Sequence, residues 1–469
     1  MKSMNIEYRT VKAPEPDAPA SPVALTQATM EARKAKVLEK MNERGIEQLI
    51  LYGDVEHGAN FEYLVGYFTR FEEGLLVLDK DGSMTLVLGN ENLNKASKAR
   101  FAAAAVHVSL FSLPNQPNRS DKTLPELLAE AGIRPDRRTG IVGWKMFTSP
   151  VEKNKQLFDI PAFILAAIEQ VVGNPVLLSN ETDLFIGENG VRTTNNANEI
   201  AHYEFGAALA SDCLLAAMNK LDAGTTEMEL GDALVRKGQH TSVVTIAASG
   251  PRFIQGNMFP TDNRVKVGDP ISLTVGYRGG LSSRAGYAVH DGDELPESCR
   301  DYLTRVVKPY FAAYVHWLET IRIGMKGGEL FQAVESILPR AQYGWSLCPG
   351  HLTAEEEWMS SPVYEGSQET LASGMIFQID IIPSVPGYGG VSAESTVVLA
   401  DAQLKQALRE ECPEVWQRMQ RRRAYLIQEL GITLSEDVLP MCGTVAYLRP
   451  YLLNKTMALA VGPEAEPCV

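Results

Sequence analysis

The sequence predicts a mixed α/β (α+β) chain of two domains preceded by an arm. Three observations lead there. Helical and strand patterns alternate from Thr26 to about residue 190, as in a domain built on a mixed sheet. A polar, turn-rich segment, Arg192-Thr193-Thr194-Asn195-Asn196-Ala197-Asn198-Glu199-Ile200, then breaks the pattern. Beyond it, Ala223-Gly224-Thr225-Thr226-Glu227-Met228-Glu229-Leu230 recurs as Ile323-Gly324-Met325-Lys326-Gly327-Gly328-Glu329-Leu330. Each copy follows a long amphipathic helix and opens another, so the second domain carries a weak internal repeat consistent with a pseudo-twofold.

The elements follow in order. Residues 1–25 are rich in Pro, Ala and charge and read as a flexible arm. Residues 26–190 form the first domain. Its opening helix runs from Thr26 to a Gly45 cap, and Ile46 to Tyr52 is a short buried strand. Residues 74–78 and 83–88 are strands joined by the turn Asp79-Lys80-Asp81-Gly82. Residues 191–469 form the second domain, which opens on a long helix from Asn198 to about Leu221 and ends in a C-terminal extension.

Composition excludes several classes. The chain has 469 residues, 45% of them hydrophobic and 22% charged, which suits a globular protein with a substantial core. The net charge is −14 and the pI near 5.1. No basic stripe marks a nucleic-acid or anionic membrane partner. The run Arg421-Arg422-Arg423 lies in a helical pattern and reads as a solvated face. No apolar run has the roughly 18 residues of a membrane span, and the N-terminus lacks the apolar core of a signal peptide. Six scattered cysteines without a CxxC pair read as reduced thiols, so the expected location is cytoplasmic.

The chemistry-bearing residues lie late in the chain. His351 follows the turn Cys348-Pro349-Gly350. Asp380 lies within the apolar stretch 376–382 after a Gly374-Met375 turn, and alternation puts Ile376, Gln378 and Asp380 on one face. Glu394 directly precedes the next strand, 395–399. An acid on such a face is costly to bury without a partner. A turn histidine and two edge-strand acids at the surface are the plain alternatives. Cys348 lies three residues from His351, but side chains so spaced in a turn seldom align as a nucleophile pair. His240, before an apolar strand pattern, is a second possible acid/base.

Gly350-His351, Gly374-Met375 with Asp380, and Ala393-Glu394 together resemble the creatinase/aminopeptidase P/methionine aminopeptidase family, the M24-like "pita-bread" hydrolases, over about residues 26–400. The resemblance implies a creatinase-like N-terminal domain, a pita-bread C-terminal domain and a homodimer. It also implies that His351, Asp380 and Glu394 occupy three of five metal-ligand positions, with Asp380 standing where the family has Glu. The other two ligands are Asp residues on an earlier hairpin. Here the first position is Thr274 and the second Arg284 or Ala285, depending on a one-residue gap. An Arg284 fork facing Asp380 and Glu394 would replace the cation's charge; a solvent-facing Arg284 is the alternative. No metal and no cofactor are therefore expected. The metal-free creatinase branch uses a histidine where this chain has Met258, and the family's second histidine is Trp358 here. Phe68-Thr69-Arg70 resembles that branch's Phe-x-Arg, which closes the partner subunit's pocket; a Phe packed in the core and a surface Arg is the alternative.

The resemblance then implies a metal-independent hydrolase of a C–N bond in a small, carboxylate-bearing or dipeptide-like substrate. His351, Asp380 and Glu394 would act catalytically, and Phe68, Arg70, Met258, Arg284 and Trp358 would contact substrate. Two other readings stay open: a non-catalytic ligand-binding or scaffold protein on the same fold, and a mononuclear metallopeptidase using His351, Asp380 and Glu394.

Overall fold

The computed structural model describes residues 4–17, 21–256 and 258–463. The chain divides into two compact units, one of residues 25–193 and one of residues 1–24 with 194–469.

The first unit is built on a six-stranded mixed sheet. Its spatial order is Ala104–His107, Met84–Leu88, Gly74–Asp79, Gln48–Gly53, Thr139–Val142, Leu178–Asn180. The three central strands pair antiparallel through the expected hairpin, where Gly82 takes a positive φ of 86°. The outer pairings are parallel. Helix Gln27–Arg44 begins where Thr26 accepts from the Thr29 N–H and ends at left-handed Gly45. Ile50, Leu75, Val77, Ile141 and Ile164 share a core sealed from water.

In the second unit the expected flexible arm is corrected in part. Ile6–Thr10 is a strand paired antiparallel with Met457–Val461. Alternating Ile6 and Tyr8 give that strand an inward face, and Tyr8 packs edge-on against Tyr451 at 5.3 Å. Residues 18–20 of the arm lie outside the described residues.

The long helix, Ala197–Lys220, starts in a capping box of Asn196 and Glu199. Its fully buried Glu204 lies 2.6 Å from both Arg418 and Arg422, and Arg422 also reaches Asp17 at 2.9 Å. The reading of the 421–423 run as a solvated face therefore fails at Arg422. One apolar-facing position in a helix takes an arginine because a buried carboxylate waits opposite it.

The sequence repeat has a structural counterpart. Ala197–Lys220 leads through Gly224 into Glu227–Leu234, and Lys308–Thr320 leads through Gly324 into Gly327–Ile337. Each helix pair precedes an antiparallel sheet. One holds Ile246–Ser249, Pro270–Tyr277 and Gly280–Tyr287; the other holds His351–Leu352, Ile376–Gln378, Thr396–Leu399 and Val438–Pro440. The sheets meet where Ala285 bridges Ser392 and the Ser283 N–H donates to the Glu394 carbonyl at 3.2 Å. Among the described residues no helix is long and apolar enough to cross a membrane.

Candidate active site

Strand register assembles the site. Thr274 pairs with Ser283, Ser283 meets Glu394, His351 pairs with Gln378, and Gln378 pairs with Thr396. Continuing the last register by two residues sets Asp380 across from Glu394. Paired residues share a face of a sheet, so these side chains line one surface.

Two glycines make the turns that deliver the ligand-type residues. Gly350, at φ 131°, lets the chain pass Trp317, whose indole N–H donates to the Pro349 carbonyl at 2.7 Å. A Cβ at Gly350 would lie 3.2 Å from that indole nitrogen. Gly374, at φ 88°, opens the strand to Asp380, and a Cβ there would collide with the Asn195 backbone at 2.6 Å.

His351, Asp380 and Glu394 converge as the motif order suggests. Their ligand-type atoms all lie within 4.8 Å of one another, and all three residues are buried. His351 Nε2 is 3.9 Å from Asp380 and 4.0 Å from Glu394. Its nearest acid is Glu357, at 3.0 Å. That contact is close but not aligned as a hydrogen bond, and neither His351 Nε2 nor Asp380 Oδ1 has a hydrogen-bond partner. Trp358 stacks on the imidazole with ring centroids 4.1 Å apart and planes 21° apart. Gln378 donates to Glu394 at 3.2 Å and to the Leu281 carbonyl at 3.0 Å, and accepts from Thr396.

Burial and mutual charge set the protonation of this cluster. Burial pushes the Asp380 carboxyl up to about 6, against the attraction of His351 and with the repulsion of Glu357. Burial raises Glu394 well above the usual carboxylate range, and Asp380 and Glu357 raise it further. Burial works to lower the His351 pKa, but the Glu357 and Asp380 carboxylates outweigh it and the net shift is upward. The group can therefore hold and pass protons near neutral pH.

Arg284 does not take the expected place. It stands one residue from both Ser283 and Ala285, so the pleat turns it to the other face of the hairpin. There its guanidinium binds the carbonyls of Tyr447 (2.8 Å), Ser283 (2.6 Å), Glu394 (3.0 Å) and Thr444, and no carboxylate side chain. Thr274 and Ala285 remain at the site face, with the Thr274 hydroxyl donating to Ser283 at 2.7 Å.

Met258 is about half exposed, and its carbonyl accepts from the Ala247 N–H. Phe68 and Arg70 belong to the first unit, where Phe68 is half-buried and Arg70 exposed. His240 is exposed. Burial pushes the Cys348 thiol up, which disfavours a nucleophilic thiolate. Glu357 and Gln378 were not singled out as site residues by the sequence reading. Gln378 had a signal, the shared face with Asp380; Glu357 was masked in the run Glu355-Glu356-Glu357.

The residues do not fit a pair of metal ions, because the hairpin offers Thr274 and Ala285 where two carboxylates are needed. They fit one ion: His351, Asp380 and Glu394 are within reach of a common point, and two of their polar atoms are unpartnered.

Residues 201–401 match the family model of metallopeptidase family M24. No curated protein matches the chain in sequence. Among solved structures, the dipeptidase PepE from Mycobacterium ulcerans superimposes with a TM-score of 0.62 at 18% identity, over 80% of this chain and 95% of that one. The Xaa-Pro dipeptidase from Bacillus anthracis gives 0.60 at 16% identity, over 80% and 96%. The prolidase from Pyrococcus horikoshii OT3 gives 0.59 at 18%, over 79% and 95%. These likenesses establish a shared pita-bread fold. Over residues 201–401 the chain is thus similar to metallopeptidase family M24, on a fold shared with these peptidases.

Proposed function

We propose that this chain hydrolyses a C–N bond in a small, carboxylate-bearing, dipeptide-like substrate, without the two-metal chemistry of that family. The observation that carries the reading is the buried imidazole of His351 set among three carboxylates, beside a hairpin with no carboxylate of its own. Full metal independence, expected from the sequence, also leaned on Arg284 among the acids. With Arg284 on the other face, one cation is compatible with the site.

Each residue has a task. Glu394, held protonated by burial, donates to the leaving nitrogen. Asp380, near its titration point at neutral pH, accepts a proton from the attacking water. His351, fixed by Trp358, holds the scissile group by Nε2. A divalent cation held by His351, Asp380 and Glu394 would replace these proton-transfer roles, with both carboxyls ionised, and would supply Lewis-acid polarisation and an acidified water.

Recognition of the substrate carboxylate falls to Arg70, with Phe68, supplied by a second copy of the chain in a homodimer. Arg is suited to this because its fork grips a carboxylate at two points. Five described cysteines, all free, support a reducing, cytoplasmic setting. Amino-acid release from a panel of dipeptides, Xaa-Pro dipeptides and N-amidino amino acids tests the reading. Turnover by the wild type that vanishes in His351→Ala supports it. No turnover across the panel, or turnover that persists in His351→Ala, defeats it.

A further inference from the structure

Beside the acids, Gly390 leaves a space that a side chain could fill. A methyl group built on it would meet Phe253 Cζ at 3.4 Å and Ala285 Cβ at 3.6 Å, both ordinary contact distances. Among the described residues nothing else comes within 4 Å of that point except the chain neighbours of Gly390. Ala285 stands on the site face of the hairpin and bridges Ser392, two residues before Glu394. The space therefore lies on the same face as the acid cluster, and its two walls are an aromatic ring and a methyl group. Both walls are held. The Tyr302 hydroxyl donates to the Gly390 carbonyl at 2.9 Å. Phe253, half-buried, rides on a loop tied at both ends to one fully buried carboxylate. That carboxylate, Glu227, accepts from the Ser249 N–H (2.8 Å), Arg252 Nε (2.8 Å) and the Thr261 N–H (3.1 Å).

We propose that Phe253, Gly390 and Ala285 form an apolar subsite for one aliphatic side chain of a dipeptide-like ligand whose scissile group lies at His351, Asp380 and Glu394. The inference rests on the hydrolase reading for the kind of ligand and adds what the site selects. Gly390 makes the space, because any larger residue would occupy it. Phe253 determines specificity and transfers no proton. Moving an aliphatic group out of water against these walls favours binding in proportion to the area covered. A ring already held by its loop loses little freedom when the ligand arrives. A charged side chain placed there would lose its water and gain no partner from either wall, so the subsite also rejects acidic ligands.

The test is calorimetric titration of the full-length protein with reduced-amide analogues of Leu-Gly, Gly-Leu, Gly-Gly and Asp-Gly, in which CH₂–NH replaces the scissile amide and blocks turnover. One leucyl analogue is expected to bind at least tenfold more tightly than those of Gly-Gly and Asp-Gly, and its identity tells which side of the scissile bond the subsite serves. Gly390→Ala, which puts a methyl into the space, should cut that preference at least fivefold, as should Phe253→Ala, which removes a wall. Phe253→Leu keeps an apolar wall, should retain most of the preference, and covers the case in which Phe253→Ala fails to fold. Ile254→Ala, at the exposed next position, should match the wild type. Equal binding of the four analogues, no binding of any, or a preference that Gly390→Ala or Phe253→Ala leaves unmoved overturns the proposal. Hydrolysis of the parent dipeptides without a leucyl preference in binding would sink the subsite and leave the hydrolase standing. A leucyl preference in binding with no dipeptide hydrolysed would do the reverse.

Discussion

Replacing Arg284 by Met is the perturbation whose effect the structure fixes most closely. The side chain is wholly buried and donates to four carbonyls. Two of these have second donors: Glu394 accepts from the Ser283 N–H, and Thr444 from the Tyr447 N–H. The carbonyls of Ser283 and Tyr447 rely on the guanidinium. A buried acceptor left without a donor costs roughly 1–3 kcal/mol, so the pair costs about 2–6 kcal/mol. Against this, Met removes a buried charge that has no carboxylate partner, and burial already depresses the Arg284 pKa. Met also fills much of the volume, which limits the cavity. The expected net destabilisation is about 2–4 kcal/mol, at the lower half of the orphaned-carbonyl range. Urea unfolding followed by tryptophan fluorescence, fitted for both ΔG and m, measures it. Arg284→Lys should recover less than half the loss, since one ammonium cannot reach four carbonyls. A loss under 1 kcal/mol, or full rescue by Lys, would refute the account of Arg284 as a clamp on the strand that carries Glu394.

Two further outcomes are expected. Asp380 binds its proton more tightly folded, at about 6, than at its ordinary 3.8, so stability in chelator should fall as pH rises from about 4 to about 6. The full difference corresponds to about 3 kcal/mol, and Asp380→Asn should flatten that slope and be the more stable protein at pH 7.5; a wild-type slope that Asn leaves unchanged would contradict it. Arg70→Ala should weaken substrate binding tenfold or more without lowering the melting temperature, and mixing it with His351→Ala subunits should restore part of the activity; unaltered affinity in Arg70→Ala would return that residue to the surface.

The sequence disclosed the scaffold more readily than the site's fine structure. Gly350-His351, the Gly374 turn and the alternation through Gln378 and Asp380 are local signals, and strand pairing converts them directly into a shared face. The hairpin was readable to within one residue. That residue mattered, because a period-two strand sends Arg284 and Ala285 to opposite faces. Arg422 and Glu357 were missed for a common reason. Each lies in a run of like charges, and a run looks solvated although Arg422 turns inward to Glu204 and Glu357 to His351, with Glu355 beside it buried against Tyr203. The first strand was hidden as well, since its partner, Met457–Val461, is more than four hundred residues away.

The central claim is that the chain keeps the acid–imidazole half of the family's catalytic centre and has lost the hairpin half. Counting the ions held after saturation with Mn²⁺ and removal of excess, by elemental analysis against protein concentration, tests it most directly. The account predicts one ion per chain in the wild type and the same count in Thr274→Val, because that position holds no ligand. Two ions per chain, or an ion lost on Thr274→Val, would contradict it.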